Sequence, residues 1–378
     1  MKKKLVVACG LAACSAVAQA QSSVTLYGDV DEYLGYIRSS SGAHITGLND
    51  GAFLRSRIGL RGIEELGGGY QAKFWLEGGF SADTGTQADS ARFFDRQTWV
   101  GINGPIGEFR AGRQNTIIQS IGAAIDYTER TTFGSIINNF GVPSRYDNDL
   151  FYRTPRFFGL QAEVQYALAE NGNTANRNKP IYQAGLDYTG GPFRAGYAGL
   201  WAAPTGNAIF SKRIVYHNGY FNYDYGKGKI YLAGVRSNNV TGTPNVATAV
   251  SNNSTGILSN ISTPNNFFPG NNPDVFRFYN IYQVSADYRI TSQWRVGFLY
   301  GDMKDMSHHH AGAKGGNIGT FYDLSKRTTL YSFVNYMKNQ ENAGFRFSGS
   351  AGPSANLVGN DINGKNLTGV QAGIVHRF

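Results

Sequence analysis

The sequence predicts an all-β protein: a 16-stranded antiparallel transmembrane β-barrel with short turns at one end and long loops at the other. Three observations carry that expectation. Segment after segment alternates apolar and polar residues with period two over about ten residues, the pattern of a barrel strand. The connections between these segments alternate between short and long along the chain. Beyond the N-terminus, no apolar stretch approaches the roughly 20 residues of a membrane-spanning helix.

Residues 1–20 read as a secretory signal peptide, removed before folding. It has Lys2, Lys3 and Lys4, an apolar run from Leu5 to about Val17, and the small-residue stop Ala18-Gln19-Ala20. About a dozen apolar residues are too few to span a bilayer. The mature chain is then 21–378, a single barrel domain. A second reading takes Leu11-Ala12-Ala13-Cys14 as a lipoprotein site lipidated on Cys14; the A-x-A stop directly before a strand favours the first. Cys9 and Cys14 are the two cysteines of the chain. A mature protein starting at Gln21 therefore has no disulfide and no thiolate site. With 49 Gly, 24 Phe and 23 Tyr against 11 Pro, the composition suits strands rather than disorder. Removing the three leader lysines takes the formal charge from +9 to +6. No basic run or RNA-binding signature accompanies that charge, which argues against a nucleic-acid partner.

Sixteen segments fit the period-two pattern. The first, 24–37, follows the leader. Segments 53–64 and 69–80 flank a tight turn at 65–68, and 92–102 and 107–113 flank another at 103–106. Next come 146–154 and 157–169 around 155–156, then 181–189 and 193–202 around 190–192, then 212–224 and 228–237. The last five are 275–287, 293–303, 314–323, 328–338 and 367–378, with a tight turn at 324–327. Long connections lie at 38–52, 81–91, 114–145, 238–274 and 339–366. An outer-membrane barrel has tight periplasmic turns at one end and long external loops at the other, so the topology demands this asymmetry. A soluble β-sandwich gives no reason for it. The 238–274 stretch, rich in Asn, Ser, Thr and Pro, reads as a solvated external loop.

Parity separates the two faces of each strand. Ile58 and Leu60 share one face, with Arg55, Arg57 and Arg61 on the other; Ala72, Phe74 and Leu76 lie opposite Lys73, Trp75 and Glu77. A charge against lipid costs a few kcal/mol near the midplane, so the charged face must line the lumen. Glu32 breaks the pattern by sharing parity with Val30, Leu34 and Tyr36. Either it lies near the headgroups or its strand faces another protomer, and the protomer contact is the favoured reading.

The last strand, Gly369-Val370-Gln371-Ala372-Gly373-Ile374-Val375-His376-Arg377-Phe378, ends on an aromatic. Earlier come Ser23-Val24-Thr25-Leu26-Tyr27-Gly28 and Ser56-Arg57-Ile58-Gly59-Leu60-Arg61-Gly62, followed by Glu64-Glu65-Leu66-Gly67. Phe74-Trp75-Leu76-Glu77, Gly107-Glu108-Phe109-Arg110-Ala111-Gly112-Arg113 and Tyr322-Asp323-Leu324-Ser325-Lys326-Arg327-Thr328 complete the set. In order and spacing these pieces resemble the general trimeric porins of the β-proteobacterial, neisserial-type Gram-negative porin family over the whole mature chain. The resemblance implies a homotrimer in the outer membrane, in contact with lipid and lipopolysaccharide. It also implies one pore per subunit and a third external loop, 114–145, folded inward to narrow the channel. The sequence supports that loop independently: 117–125 is apolar and helix-compatible, which a freely solvated loop would not need.

Family members with an anion preference stack arginines at the constriction, and the matching positions here are Arg57, Arg96 and Arg145. Arg57 also faces inward by parity. Strict alternation from Thr98 and Val100 would point Arg96 outward, so a bulge or a strand starting after it is required. Arg55, Arg61, Lys73 and Arg153 add inward charge, while Asp126 and Glu129 on the loop and Glu77 on the wall are candidates for an opposing acidic side. An alternative is that several of these groups simply pair with one another, Arg61 and Arg153 above all. His308-His309-His310 raises a metal reading. Adjacent residues converge poorly on one ion, however, so a solvated loop is the reading taken and no cofactor is expected. His44, His217 and His376 are scattered, with no G-x-S-x-G nucleophile setting. The function expected is passive diffusion of small hydrophilic solutes, anions preferred. The rivals are a channel specific for a small organic anion and, further off, a barrel hydrolase or adhesin.

Overall fold

The computed structural model describes residues 22–169, 180–203, 213–238, 278–308 and 310–378. The expected signal peptide with Cys9 and Cys14, His309 and nearly all of 238–274 lie outside these residues. Seventeen strand segments form one sheet: β1 (Ser23–Ser39), β2 (His44–Asp50), β3 (Arg57–Gly67), β4 (Tyr70–Gly79), β5 (Gln97–Gly104), β6 (Gly107–Asn115), β7 (Arg145–Arg153), β8 (Leu160–Ala167) and β9 (Ile181–Gly190). They continue as β10 (Phe193–Ala202), β11 (Ile214–Asp224), β12 (Lys229–Ser237), β13 (Tyr279–Arg289), β14 (Trp294–Asp305), β15 (Ala313–Asp323), β16 (Thr328–Asn339) and β17 (Asn366–Arg377).

Apart from β2 and β3, successive strands pair antiparallel, and β17 returns to β1 from Asp29↔Arg377 to Ser39↔Leu367, closing the barrel. Closure leaves no unpaired edge inside the bilayer. β2 and β3 are two halves of one stave, since both lie along β1, β2 against Glu32 to Arg38 and β3 against Ser23 to Asp29. The barrel is thus 16-stranded, as the sequence predicts.

One expectation fails here. Residues 38–52 are not a long loop but a tight hairpin, with β1 running to Ser39 and β2 starting at His44. β2 carries Gly47, Asn49 and Asp50, residues depleted from strands, so its composition hides its pairing. The stave then kinks over 51–56, where Gly51 adopts a φ of 66°. The Asp31 carboxylate accepts the backbone N–H groups of Phe53 and Leu54, and Asp31 N–H donates to Ser56 Oγ at 2.9 Å. One inward carboxylate thereby satisfies the donors that the broken ladder releases.

The outer wall is apolar, with Val100, Val164, Leu232, Phe298, Ile318 and Val334 all exposed. Aromatic rows border it: Tyr282, Tyr300 and Tyr336 toward the long loops, Tyr288, Trp294 and Tyr322 toward the short turns. Such girdles mark the two membrane interfaces. The buried residues lie inside the barrel, because the third connection fills much of the lumen. It contains a helical turn at Ile117–Ser120 and another at Ile136–Phe140. Ile117, Ile118, Ala124, Ile125, Phe133, Ile136 and Ile137 are all buried against the wall. At Gly301 an added Cβ would stand 2.8 Å from the Ile136 Cβ, so glycine there lets the loop approach.

Candidate pore constriction

A backbone that leaves water must find partners for its N–H groups, and the third connection takes them from the inner wall. Ile117 N–H donates to Gln165 and Gln183 at 3.0 and 3.1 Å, and Tyr127 N–H to Ser285 at 3.2 Å. Phe133 N–H donates to Gln371, Gly134 N–H to Asn335, and Ile136 N–H to Gln283. These acceptors sit on β8, β9, β13, β16 and β17, so the loop crosses the interior from one wall to the other. Beside it lies a cavity of about 520 Å³, bounded by Tyr27, Asp29, Arg57, Arg61, Trp75, Glu77 and Arg96 on the wall, Arg377 on β17 and Glu129 on the loop.

The wall charges are arranged by strand parity. Tyr27 and Asp29 point inward from β1, Arg57 and Arg61 from β3, Trp75 and Glu77 from β4. Arg57 bridges Asp29 at 2.6 Å and approaches Glu77 at 3.6 Å. Glu77 takes Arg96 at 2.7 Å and the Tyr27 hydroxyl at 2.6 Å. Arg96 points inward because β5 begins after it, at Gln97, while Arg96 N–H still bonds Glu77 O at 3.2 Å. Gly79 makes room above this cluster: a Cβ there would meet Arg55 Nε and Arg96 Cδ, each at 3.4 Å. Arg145 stands within the field of Arg96, Glu77 and Arg113. Among the described residues neither Arg55, Arg61 nor Arg145 has a carboxylate at ion-pair distance. The Arg61 guanidinium instead lies over the Tyr27 ring, 4.1 Å from its centroid, and 5.2 Å from that of Trp75.

Three other placements differ from the expected two-sided arrangement. Asp126 does not face the lumen: it is 1% exposed. Its oxygens accept the N–H groups of Thr128 and Arg130, the hydroxyls of Thr128 and Ser135, and the Gln283 amide. A short carboxylate inside a tight turn satisfies local donors before it can reach a pore. Glu77 stands among the arginines rather than across from them, which leaves Glu129 as the loop carboxylate facing the cavity. Lys73 and Arg153 meet lower on the wall, where Glu108 pairs with Lys73 at 3.6 Å, with Arg110 at 2.7 Å and with Arg153, which also reaches Glu163 at 3.6 Å. Tyr27, Asp29 and Arg377 escaped the sequence reading, although parity from Glu32 and Ile374 already turns them inward.

A closed 16-stranded barrel with a lipid-facing outer wall and a charged, loop-narrowed lumen defines the class of outer-membrane porins. The Gram-negative porin family matches residues 6–343, and the chain belongs to that family. It is 30% identical to an outer-membrane porin of Bordetella pertussis over 90% of this chain and 95% of that one. It is 29% identical to outer membrane porin protein 32 of Delftia acidovorans over the full length of both. Among solved structures, the anion-selective porin from Comamonas acidovorans superposes with a TM-score of 0.74 at 25% identity, covering 95% of this chain and all of that one. The protein is accordingly an outer-membrane β-barrel.

Proposed function

We propose that this porin is a passive diffusion pore for small hydrophilic solutes that favours anions, and that it works as a homotrimer with one pore per subunit. The observation that carries the reading is the guanidinium cluster at the 520 Å³ cavity: Arg57, Arg61, Arg96 and Arg377 line it with the side-chain carboxylates of Asp29, Glu77 and Glu129 and the terminal carboxylate of Phe378. Arg55 and Arg145 stand close behind without an ion pair. Guanidinium groups suit the role because they stay charged at every working pH and present several donors to a carboxylate or phosphate oxygen. Neighbouring arginines offer a departing anion its next site, so binding need not become trapping. The likeness to a porin described as anion-selective supports the same reading. Transit on this account involves no reaction and no cofactor.

Reversal potential across a planar bilayer under a salt gradient tests it. The expected sign is that of anion preference, and a cation-selective open channel would reject the reading. The trimer has its own test: a band resistant to SDS at room temperature that falls to monomer on heating. A monomer at both temperatures would reject that part alone.

A further inference from the structure

The interior of a porin barrel is polar, yet the inner wall here carries large rings in register from strand to strand. Arg61 on β3, Trp75 on β4 and Trp99 on β5 are direct cross-strand partners in succession. Arg110 on β6 stands opposite Phe151 on β7 in the same way. Tyr27 on β1 completes the stripe, opposite Gly59 on β3. Rings and guanidiniums interleave along it: Arg61 covers Tyr27 and approaches Trp75, and Arg110 lies 4.5 Å from the Trp99 centroid and 4.9 Å from that of Phe151. The Trp75 and Trp99 centroids are 6.0 Å apart.

The two ends of the stripe differ in what they leave open. Arg110 is held by Glu108 at 2.7 Å, and Trp99 and Phe151 are buried, so that end is closed packing. Tyr27, Arg61 and Trp75 instead border the 520 Å³ cavity, a size within the roughly 300–1,000 Å³ of small-molecule sites. Of the guanidiniums lining it, those of Arg57, Arg96 and Arg377 have carboxylate partners. Arg61 has none at ion-pair distance among the described residues, and Tyr27 and Trp75 are only half-buried. The platform is also fixed in place. The Trp75 indole N–H donates to the Tyr27 hydroxyl, which donates to Glu77 at 2.6 Å, so both rings are tied at their polar ends. Gly59 makes the room: a Cβ there would stand 2.6 Å from the Tyr27 hydroxyl oxygen and 2.8 Å from the Leu76 carbonyl oxygen. A guanidinium stacked on a ring keeps its N–H edge for an anion, and groups already held in position bind without a further ordering cost.

From this register and this unpaired guanidinium we propose that Tyr27, Arg61 and Trp75 form a binding site for planar aromatic carboxylates, small acids of the benzoate type. The carboxylate takes the N–H edge of Arg61 in a charge-assisted hydrogen bond, and the ring packs on Trp75. An aliphatic acid of the same charge gains the bond and forgoes the ring contact. The inference rests on the anion-favouring pore proposed above and names a solute class for it.

Planar-bilayer recordings with benzoate, cyclohexanecarboxylate and acetate as probes supply the test. Each acid is titrated against a fixed chloride current, and the concentration that halves the current is read. The wild type is expected to respond to benzoate at a roughly fivefold lower concentration than to cyclohexanecarboxylate, with acetate the weakest. R61Q should lose benzoate sensitivity by about tenfold. W75L keeps Arg61 and an apolar side chain, and should bring the two ring acids to equal potency. If W75L fails to assemble, judged by loss of β-rich circular dichroism, R61Q and the wild-type comparison decide alone. Equal potency of the two ring acids on the wild-type channel, or wild-type benzoate sensitivity in R61Q, would overturn the proposal. The chloride reversal potential of the same channels separates the two readings. An anion-selective channel with equal potencies rejects the aromatic class alone, whereas a cation-selective channel rejects both.

Discussion

Glu77 is bonded by Arg96, Arg57 and Tyr27 at once, so removing its charge leaves two guanidiniums facing the cavity without their shared partner. A unit charge about 5 Å from a permeating ion is worth roughly 0.8 kcal/mol even at the dielectric of water. E77Q should therefore favour anions and disfavour cations by about fourfold each, raising the anion-to-cation permeability ratio on the order of tenfold, read from the reversal potential. A fall in the ratio would mean that Glu77 acts by holding the arginines in place, not by cancelling them. Asp126 gives the opposite kind of prediction, since it is buried and bonds loop groups. D126A strands two backbone N–H groups, two hydroxyls and an amide, and leaving buried donors unmade costs about 1–3 kcal/mol each. A loss of about 3 kcal/mol or more should appear as a lowered unfolding temperature and a noisier open channel; an unchanged channel would dismiss the anchoring role. In the sequence both carboxylates were candidates for the acidic side of the constriction. Glu77 was legible as inward because strand parity is a fixed geometric rule. Asp126 sits in irregular backbone, where no period says which way a side chain turns.

At the level of elements, the same contrast runs through the whole chain. Every strand but the shortest was legible, because lipid on one side and water on the other force a two-residue alternation that few soluble sheets maintain. The exception, β2, has Gly47, Asn49 and Asp50 within seven residues and continues as β3 only after the kink that Asp31 stabilises. The inward third loop was legible in part: the apolar 117–125 announced burial, but not which wall would receive it. That wall is marked by glutamine and asparagine side chains spread over β8, β9, β13, β16 and β17, whose partners no single segment discloses. Gln283 shows what this anchoring does, since its one carbonyl oxygen accepts from Ile136 and Ile137 while its amide donates to Asp126. Q283L keeps the bulk and removes all three bonds. It should release the Ile136–Phe140 turn and increase single-channel conductance or its fluctuation, with β-rich circular dichroism intact. Conductance identical to wild type would show that the apolar contacts of Ile136 and Phe140 hold the loop unaided.

For the whole molecule the pore's selectivity is a sum of fields, and sums respond to salt in a way that single contacts do not. The four cavity guanidiniums are matched by three side-chain carboxylates and the terminal carboxylate of Phe378, so the excess rests on Arg55 and Arg145, neither of which has a carboxylate at ion-pair distance among the described residues. At about 5 Å each, two such charges amount to roughly 1.6 kcal/mol at the dielectric of water. Charges farther than about 5 Å from the ion path contribute less, and a local dielectric below that of water raises each contribution. The Debye length is about 10 Å at 0.1 M and about 3 Å at 1 M, so the field spans the cavity at low salt and is confined to its wall at high salt. Anion preference should consequently be strong in 0.1 M potassium chloride and shrink several-fold by 1 M. A preference set by pore shape alone would be flat over the same range. Replacing Arg57, Arg96 and Arg145 with Gln subtracts three positive charges and frees Glu77 from its arginines, while Asp29 keeps Arg377 at 3.8 Å. The variant is expected to cross to cation preference at low salt while still resisting SDS as an unheated oligomer. Selectivity that keeps both its sign and its salt dependence in a folded triple variant would transfer the filter to Arg55, Arg61 and the Lys73–Glu108–Arg153 belt below.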